Sequence, residues 1–185
     1  MPQRQAGWVT EQAQADMSIS SPVPHLEGAN QVPAVVAVPA GQVAALCWRM
    51  HKGQAQVLLV TSRDTGRWVL PKGWPMPDRN PDAAAAREAW EEAGVEGKVS
   101  AAAIGQYCYD KVLRNRDTLA CAVAVYPLRV TNLKSNFPER NERRRKWFSA
   151  QEAAHLVAEA ELRAMLTWLA DEPETLAPKR AKSAA

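Results

Sequence analysis

The sequence predicts an α/β fold in which helices pack on a central mixed sheet. Three observations carry that expectation. Short apolar runs of strand length come before and after a helix that is marked at both ends. One of these runs, Leu119 to Tyr126 (LACAVAVY), has the length and composition of a buried strand, and two more helices close the chain. Strands interrupted by helices, with several strands in succession between them, call for a mixed sheet between helices.

Val43 to Trp48 (VAALCW) and Gln56 to Thr61 (QVLLVT) read as consecutive strands separated by the turn-like His51-Lys52-Gly53, with Trp68-Val69-Leu70 as a shorter third. The helix covers Pro81 to Ala93. Asn80 is placed to cap it, Pro81 takes the first helical position, Asp82 complements the dipole, and Gly94 suits the left-handed residue that ends a helix. Ala86, Ala89 and Ala93 share a face whose small side chains let the helix approach a sheet closely, and the opposite stripe carries glutamates. Lys98 to Tyr109 and Thr118 to Val130 are the next strand candidates. Ser149, with Glu152 three residues on, forms a capping box for a helix through Ala158, and a last helix covers Glu161 to Leu169.

A length of 185 residues corresponds to one globular domain with tails. Residues 1–41 hold five prolines and read as a flexible N-terminal extension, residues 42–170 as the folded domain, and residues 171–185 as a C-terminal tail. The net charge of +3 divides into −2 on the extension and +5 on the folded part, a mild attraction for polyanions. Cys47, Cys108 and Cys121 are odd in number and lie in apolar runs, which argues against a disulfide framework or a zinc site with paired ligands. No basic N-terminal segment precedes an apolar core, and no apolar run approaches the roughly 18 residues of a membrane span. The expectation is a cytoplasmic protein without a membrane partner.

The chemistry concentrates in Arg87-Glu88-Ala89-Trp90-Glu91-Glu92-Ala93-Gly94-Val95. Carboxylates at i, i+3 and i+4 project from one side of a helix, where they repel one another by a few tenths of a kcal/mol per pair. Without i+4 lysine partners they invite a cation. Such hard oxygen ligands suit Mg2+ or Mn2+, which keep some waters and take the rest of their shell from phosphates. Twenty-one residues before Gly94 stands Gly73, in Leu70-Pro71-Lys72-Gly73-Trp74-Pro75, a tight loop leading from a strand toward the helix.

Here the sequence resembles the Nudix hydrolases, whose box is G-x5-E-x7-R-E-U-x-E-E-x-G-U with U a bulky aliphatic residue. Gly73, Arg87, Glu88, Glu91, Glu92, Gly94 and Val95 fall in register over 23 residues. Two positions depart: Arg79 replaces the first glutamate, and Ala89 is smaller than usual. The first departure removes a carboxylate that is auxiliary in some members. Ser62 to Pro71 before the box and Arg143 to Phe148 after the sheet resemble the diphosphoinositol polyphosphate phosphohydrolase branch, which acts on inositol pyrophosphates and dinucleoside polyphosphates. The resemblance covers residues 42 to 169. It implies a Nudix α/β/α sandwich, a divalent metal, and hydrolysis of a phosphoanhydride in a small-molecule polyphosphate.

Glu88 and Glu92, one turn apart, are the expected metal ligands, with the backbone at Gly73 close enough to approach the metal or the substrate. Glu91 matches a position reported as base in similar enzymes, and either activates water or joins the ligands. Arg87 by resemblance holds the box carboxylates in orientation. Arg63, Lys72 and Arg145 are the expected phosphate contacts, because a guanidinium fork fits phosphate oxygens. Lys111, Arg114 and Arg116 are candidates for the rim, Trp74 is the exposed aromatic, and Trp147 and Phe148 read as core. Two other functions fit the same residues: removal of pyrophosphate from an RNA 5′ end, and a silent Nudix domain binding nucleotide or nucleic acid through the basic run Arg140 to Lys146.

Overall fold

The chain runs β1 (Ala40–His51), β2 (Gln54–Thr61), β3 (Trp68–Val69), β4 (Lys72–Gly73), α1 (Pro81–Ala93), β5 (Val95–Val99), β6 (Gly105–Val112), β7 (Thr118–Leu133), β8 (Arg145–Ser149), α2 (Ala150–Leu156), α3 (Ala160–Asp171) and a 3-10 turn (Pro173–Leu176). This structure, a computed structural model, describes residues 40–113 and 116–176. The extension before residue 40, Arg114 and the tail beyond residue 176 lie outside the described residues.

All eight strands join one sheet. β1 and β7 run parallel, pairing residues 40–48 with 121–129, and the other pairings are antiparallel, so the sheet is mixed as expected. The hairpin between β1 and β2 turns on Lys52 and Gly53, both with positive φ (51° and 78°), which matches the twist of the flanking strands. β1 is apolar at successive positions because both faces are covered. Val43, Ala45 and Cys47 face the layer with α1, through Ala84, Ala85, Ala89 and Ala93. Ala44, Leu46 and Trp48 face the layer with α2 and α3, through Ala153, Leu162 and Leu166. The domain is therefore an α/β/α sandwich, with α1 the one helix on its face among the described residues.

Several elements differ from the sequence reading. Lys98 to Tyr109 is two strands separated by a bend at residues 100–104, where Ser100 donates its N–H to Pro127 and accepts one from Ala102. β5 pairs with the C-terminal half of β7 and β6 with its N-terminal half, so one long strand serves two short ones. β8 was hidden by its basic residues, yet it forms a ladder on β2 over residues 145–149. The Asn80 side chain makes no capping bond, although Gly94 ends α1 at φ 63° as expected. Ser149 and Glu152 form the capping box, but α2 stops at Leu156. β1 includes Ala40, and beyond residue 170 the described chain completes α3 and forms the 3-10 turn, with Leu176 packed on the core.

The glutamates of α1 do not form a solvated stripe opposite the alanines. Glu92 stands seven residues after Ala85 and three after Ala89, so it borders the alanine face and is 5% exposed. Ala86, assigned to that face from sequence, is only partly buried, and Ala84 and Ala85 are fully buried in its place.

Candidate active site

Packing of α1 on β1 fixes where its carboxylates point. β4 pairs with β1 through Val43 with Gly73 and Ala44 with Lys72, and Ala45 donates its N–H to Pro71 at 3.0 Å, which lays the loop across the edge of α1. The backbone N–H of Lys72 then donates to Glu92 Oε2 at 3.2 Å. The Glu88 carboxylate occupies the space where Gly73 would carry a Cβ, so only glycine leaves that carboxylate where it is.

A second set of groups arrives from the segment between β7 and β8. It is tied down at three points: Lys134 N–H to Gly94 O at 2.9 Å, Glu139 N–H to Glu91 O at 3.0 Å, and Thr61 N–H to Arg144 O at 2.9 Å. This brings Arg143 against the box. Its guanidinium, 7% exposed, donates to Glu92 Oε1, to Glu139 Oε2 at 2.5 Å and to the Thr61 carbonyl at 3.0 Å. Glu139 was not singled out from the sequence, and Arg143 entered only as part of a basic run. Their i, i+4 spacing, opposite in sign, was the available signal.

The electrostatics are those of carboxylates held together out of water. Burial pushes Glu92 up to about 7, against the pull of Arg143 and the Lys72 N–H, with Glu139 and Glu88 adding to the push. Glu88 is also raised, first by burial and then by Glu91 and Glu139. Among the described residues no three His, Cys, Asp or Glu side chains form a ready metal cluster, and Glu92 and Glu139 share the Arg143 guanidinium. The donor chemistry nevertheless fits a hard divalent ion: Glu88 and Glu92 are carboxylates one turn apart whose charged forms are disfavoured by burial, with Glu88 adding to the push on Glu92.

The remaining candidates divide clearly. Arg87 Nε donates to Glu91 Oε1 at 2.6 Å and its guanidinium lies 4.7 Å from the Trp90 ring. Arg63, 58% exposed, pairs with Glu142 at 3.3 Å and Glu139 at 3.8 Å, at the outer side of the carboxylates. Lys72 and Lys111 line a cavity of about 480 Å³. Burial holds the Lys72 ammonium below the ordinary lysine range. Arg145, expected on a phosphate, is instead engaged by the C-terminal end of α1: it donates to the Ala93 carbonyl and lies 4.7 Å from the Phe137 ring. The physical reason is strand alternation, since β8 turns Arg145 toward the helix end, where a cation meets the negative pole of the dipole. Arg79 pairs loosely with its neighbour Asp78 at 3.8 Å. Arg116 has a φ of 70° in the β6–β7 connection.

Substituting Gly73 by Ala tests the contact with Glu88. The added methyl meets the end of a flexible side chain, so the fold is expected to survive while the carboxylate moves. Mn2+ affinity measured by titration is expected to fall about tenfold or more, the usual cost of disturbing a group that orients a ligand.

The family model described as NUDIX domain matches residues 40–169. The chain belongs to the Nudix family. The mouse diphosphoinositol polyphosphate phosphohydrolase 3-alpha is 32% identical to this Nudix domain over 114 residues, which is 60% of this chain and 65% of the relative. The match thus spans just under two thirds of that relative's length. The C. elegans Ap4A hydrolase structure superimposes with a TM-score of 0.55 at 18% identity, over 74% of this chain and 99% of that one. The NUDIX domain of Shewanella oneidensis NrtR complexed with ADP ribose gives 0.56 at 15%, over 78% and 94%. Both likenesses show the α/β/α Nudix fold expected from the sequence.

Proposed function

We propose that this Nudix domain is a divalent-metal-dependent hydrolase of a phosphoanhydride bond in a nucleoside or dinucleoside polyphosphate or a diphosphoinositol polyphosphate. One observation carries the reading: the buried Glu92 carboxylate, pushed up by burial with Glu139 and Glu88 adding to the push, accepts the N–H of Lys72, and Lys72 lines a cavity with Lys111 and Arg67 in its wall. A bound Mg2+ or Mn2+ would neutralise phosphate oxygens and acidify the attacking water. Glu88 and Glu92 would hold the ion, with the Gly73 backbone beside them. Glu91, held by Arg87, would accept the proton of the water, and Lys72 and Arg63 would meet the phosphates. The named relatives act, by their names, on diphosphoinositol polyphosphate and on Ap4A, which supports a polyphosphate as the substrate class.

The geometry does not favour nucleic acid. The basic run disperses: Arg143 is buried on carboxylates, Arg145 is on α1, Arg144 lies over Trp68 at 5.9 Å and Lys146 over Phe148 at 5.0 Å. Three free thiols, two of them buried, support a cytoplasmic setting. Among the described residues no helix is long and apolar enough to cross a membrane.

The test is phosphate and nucleotide release from diadenosine polyphosphates, inositol pyrophosphate, nucleoside diphosphate sugars and 5′-triphosphate RNA, with Mg2+ or with chelator. Release that stops with chelator is the expected result. Retained ligand binding with no release from any substrate would instead make this a binding module.

A further inference from the structure

We propose that Arg67, fixed by the buried carboxylate of Glu159, is a specificity-determining anion-binding residue of the cavity beside the box. Its effect would be to select substrates carrying a phosphate beyond the anhydride that is cleaved. The word substrate rests on the hydrolase reading above; the site rests on its own geometry.

Glu159 is the N-cap of α3, a position that favours short side chains able to bond the first backbone N–H groups. Its carboxylate makes no such bond. It turns inward instead, 7% exposed, and Oε1 lies 3.2 Å from Arg67 Nη1, across 92 residues of sequence. The other oxygen, Oε2, is buried with no hydrogen-bond partner among the described residues. A half-satisfied buried carboxylate is a poor stabiliser, and an apolar residue of the same volume usually costs less. What the pair does achieve is to hold a guanidinium in one place.

That place is the cavity wall. Arg67 is 39% exposed, and it lines the 480 Å³ cavity together with Lys72 and Lys111. Asp64 and Asp110 also line it, and with the Glu159 carboxylate behind Arg67 they balance the three cations. Lys72 Nζ lies 4.8 Å from the Tyr109 ring and Lys111 Nζ 5.2 Å from the Trp74 ring, so an ammonium group already lies over one face of each ring. Glu159 engages only Nη1 of Arg67, and the guanidinium donors left over suit phosphate oxygens. Lys72 is bound to the box through its backbone, whereas Arg67 is tied to Glu159. A phosphate at Arg67 would be a different one from the group presented to the carboxylates. It belongs either to a longer phosphate chain or to a polyol bearing several phosphates.

The test is calorimetric titration of the full chain, with chelator present so that binding is read without turnover. The probes are inorganic pyrophosphate, tetrapolyphosphate and inositol hexakisphosphate, and the proteins are wild type, Arg67→Met, Glu159→Gln and the double variant. Arg67→Met is expected to weaken tetrapolyphosphate or inositol hexakisphosphate about tenfold or more and pyrophosphate less than about threefold, in keeping with one charge-assisted contact. Glu159→Gln should shift affinity in the same direction, and the double variant should bind no more weakly than Arg67→Met alone. The probe that responds names the source of the phosphate. Unchanged affinity in Arg67→Met that melts like wild type, equal loss on all three probes, or no binding by wild type overturns the inference. Turnover seen alongside a neutral Arg67→Met leaves the hydrolase reading intact, and a probe-selective loss without turnover leaves the anion site intact.

Discussion

Glu92→Gln is expected to lower metal-dependent kcat/KM about a thousandfold, because bound ions contribute several kcal/mol to phosphoryl transition states and each ~1.4 kcal/mol is a factor of ten. The substitution keeps the volume and an acceptor for the Lys72 N–H, so a loss of this size reports the missing charge and not a collapsed loop. Glu91→Gln makes the comparison specific. It should retain Mn2+ affinity within about threefold and lose about 10²- to 10⁴-fold in kcat, the range of a general base. Glu92→Gln should lose the ion itself. Full turnover in Glu91→Gln would remove it as the base, and wild-type turnover in Glu92→Gln would remove the proposed centre altogether.

Much of this was legible in the chain because the relevant signals are local. Pro81 and Gly94 bound α1 through constraints on φ that no neighbour needs to supply. Register from Gly73 to Val95 places the carboxylates against the loop because helix pitch and one strand pairing are all that intervene. The misreadings have the opposite character. Arg145 and Arg143 differ by two residues in one basic run, and only the pairing of β8 with β2 decides which guanidinium meets Glu92 and which meets Ala93. Glu139 is brought in by backbone bonds to α1, and Glu159 reaches Arg67 across the whole domain. Such long-range pairings leave no periodic trace. The bend that splits Lys98 to Tyr109 is of the same kind, since it exists because β7 continues beneath it and offers Pro127 and Val125 carbonyls on either side.

In the absence of divalent ions, Glu92→Gln should be more stable than wild type at pH 8, with the difference closing by pH 5. The sign follows from the raised carboxyl. Glu92 titrates at about 7 when folded, against 4.5 for an unperturbed glutamate. Between those values the folded state binds more protons than the unfolded one, so the unfolding free energy falls as pH rises. The stability is fully present below 4.5 and lost by the time pH passes 7. The interval corresponds to about 3 kcal/mol, or on the order of 10 °C in Tm for a domain of this size. Glutamine mimics the protonated carboxyl and escapes the loss, while Arg143 keeps Glu139 and the Thr61 carbonyl. Millimolar Mg2+ should reverse the ranking at pH 8, because an ion that binds only the folded wild type stabilises it by mass action. Thermal melts of both proteins at pH 5 and pH 8, with and without Mg2+, provide the measurement. Parallel curves would mean that Arg143 already neutralises Glu92, leaving no repulsion for an ion to relieve. A crossing set by pH and metal would show that the buried charge reduces stability until the ion arrives, as expected of a group kept for chemistry.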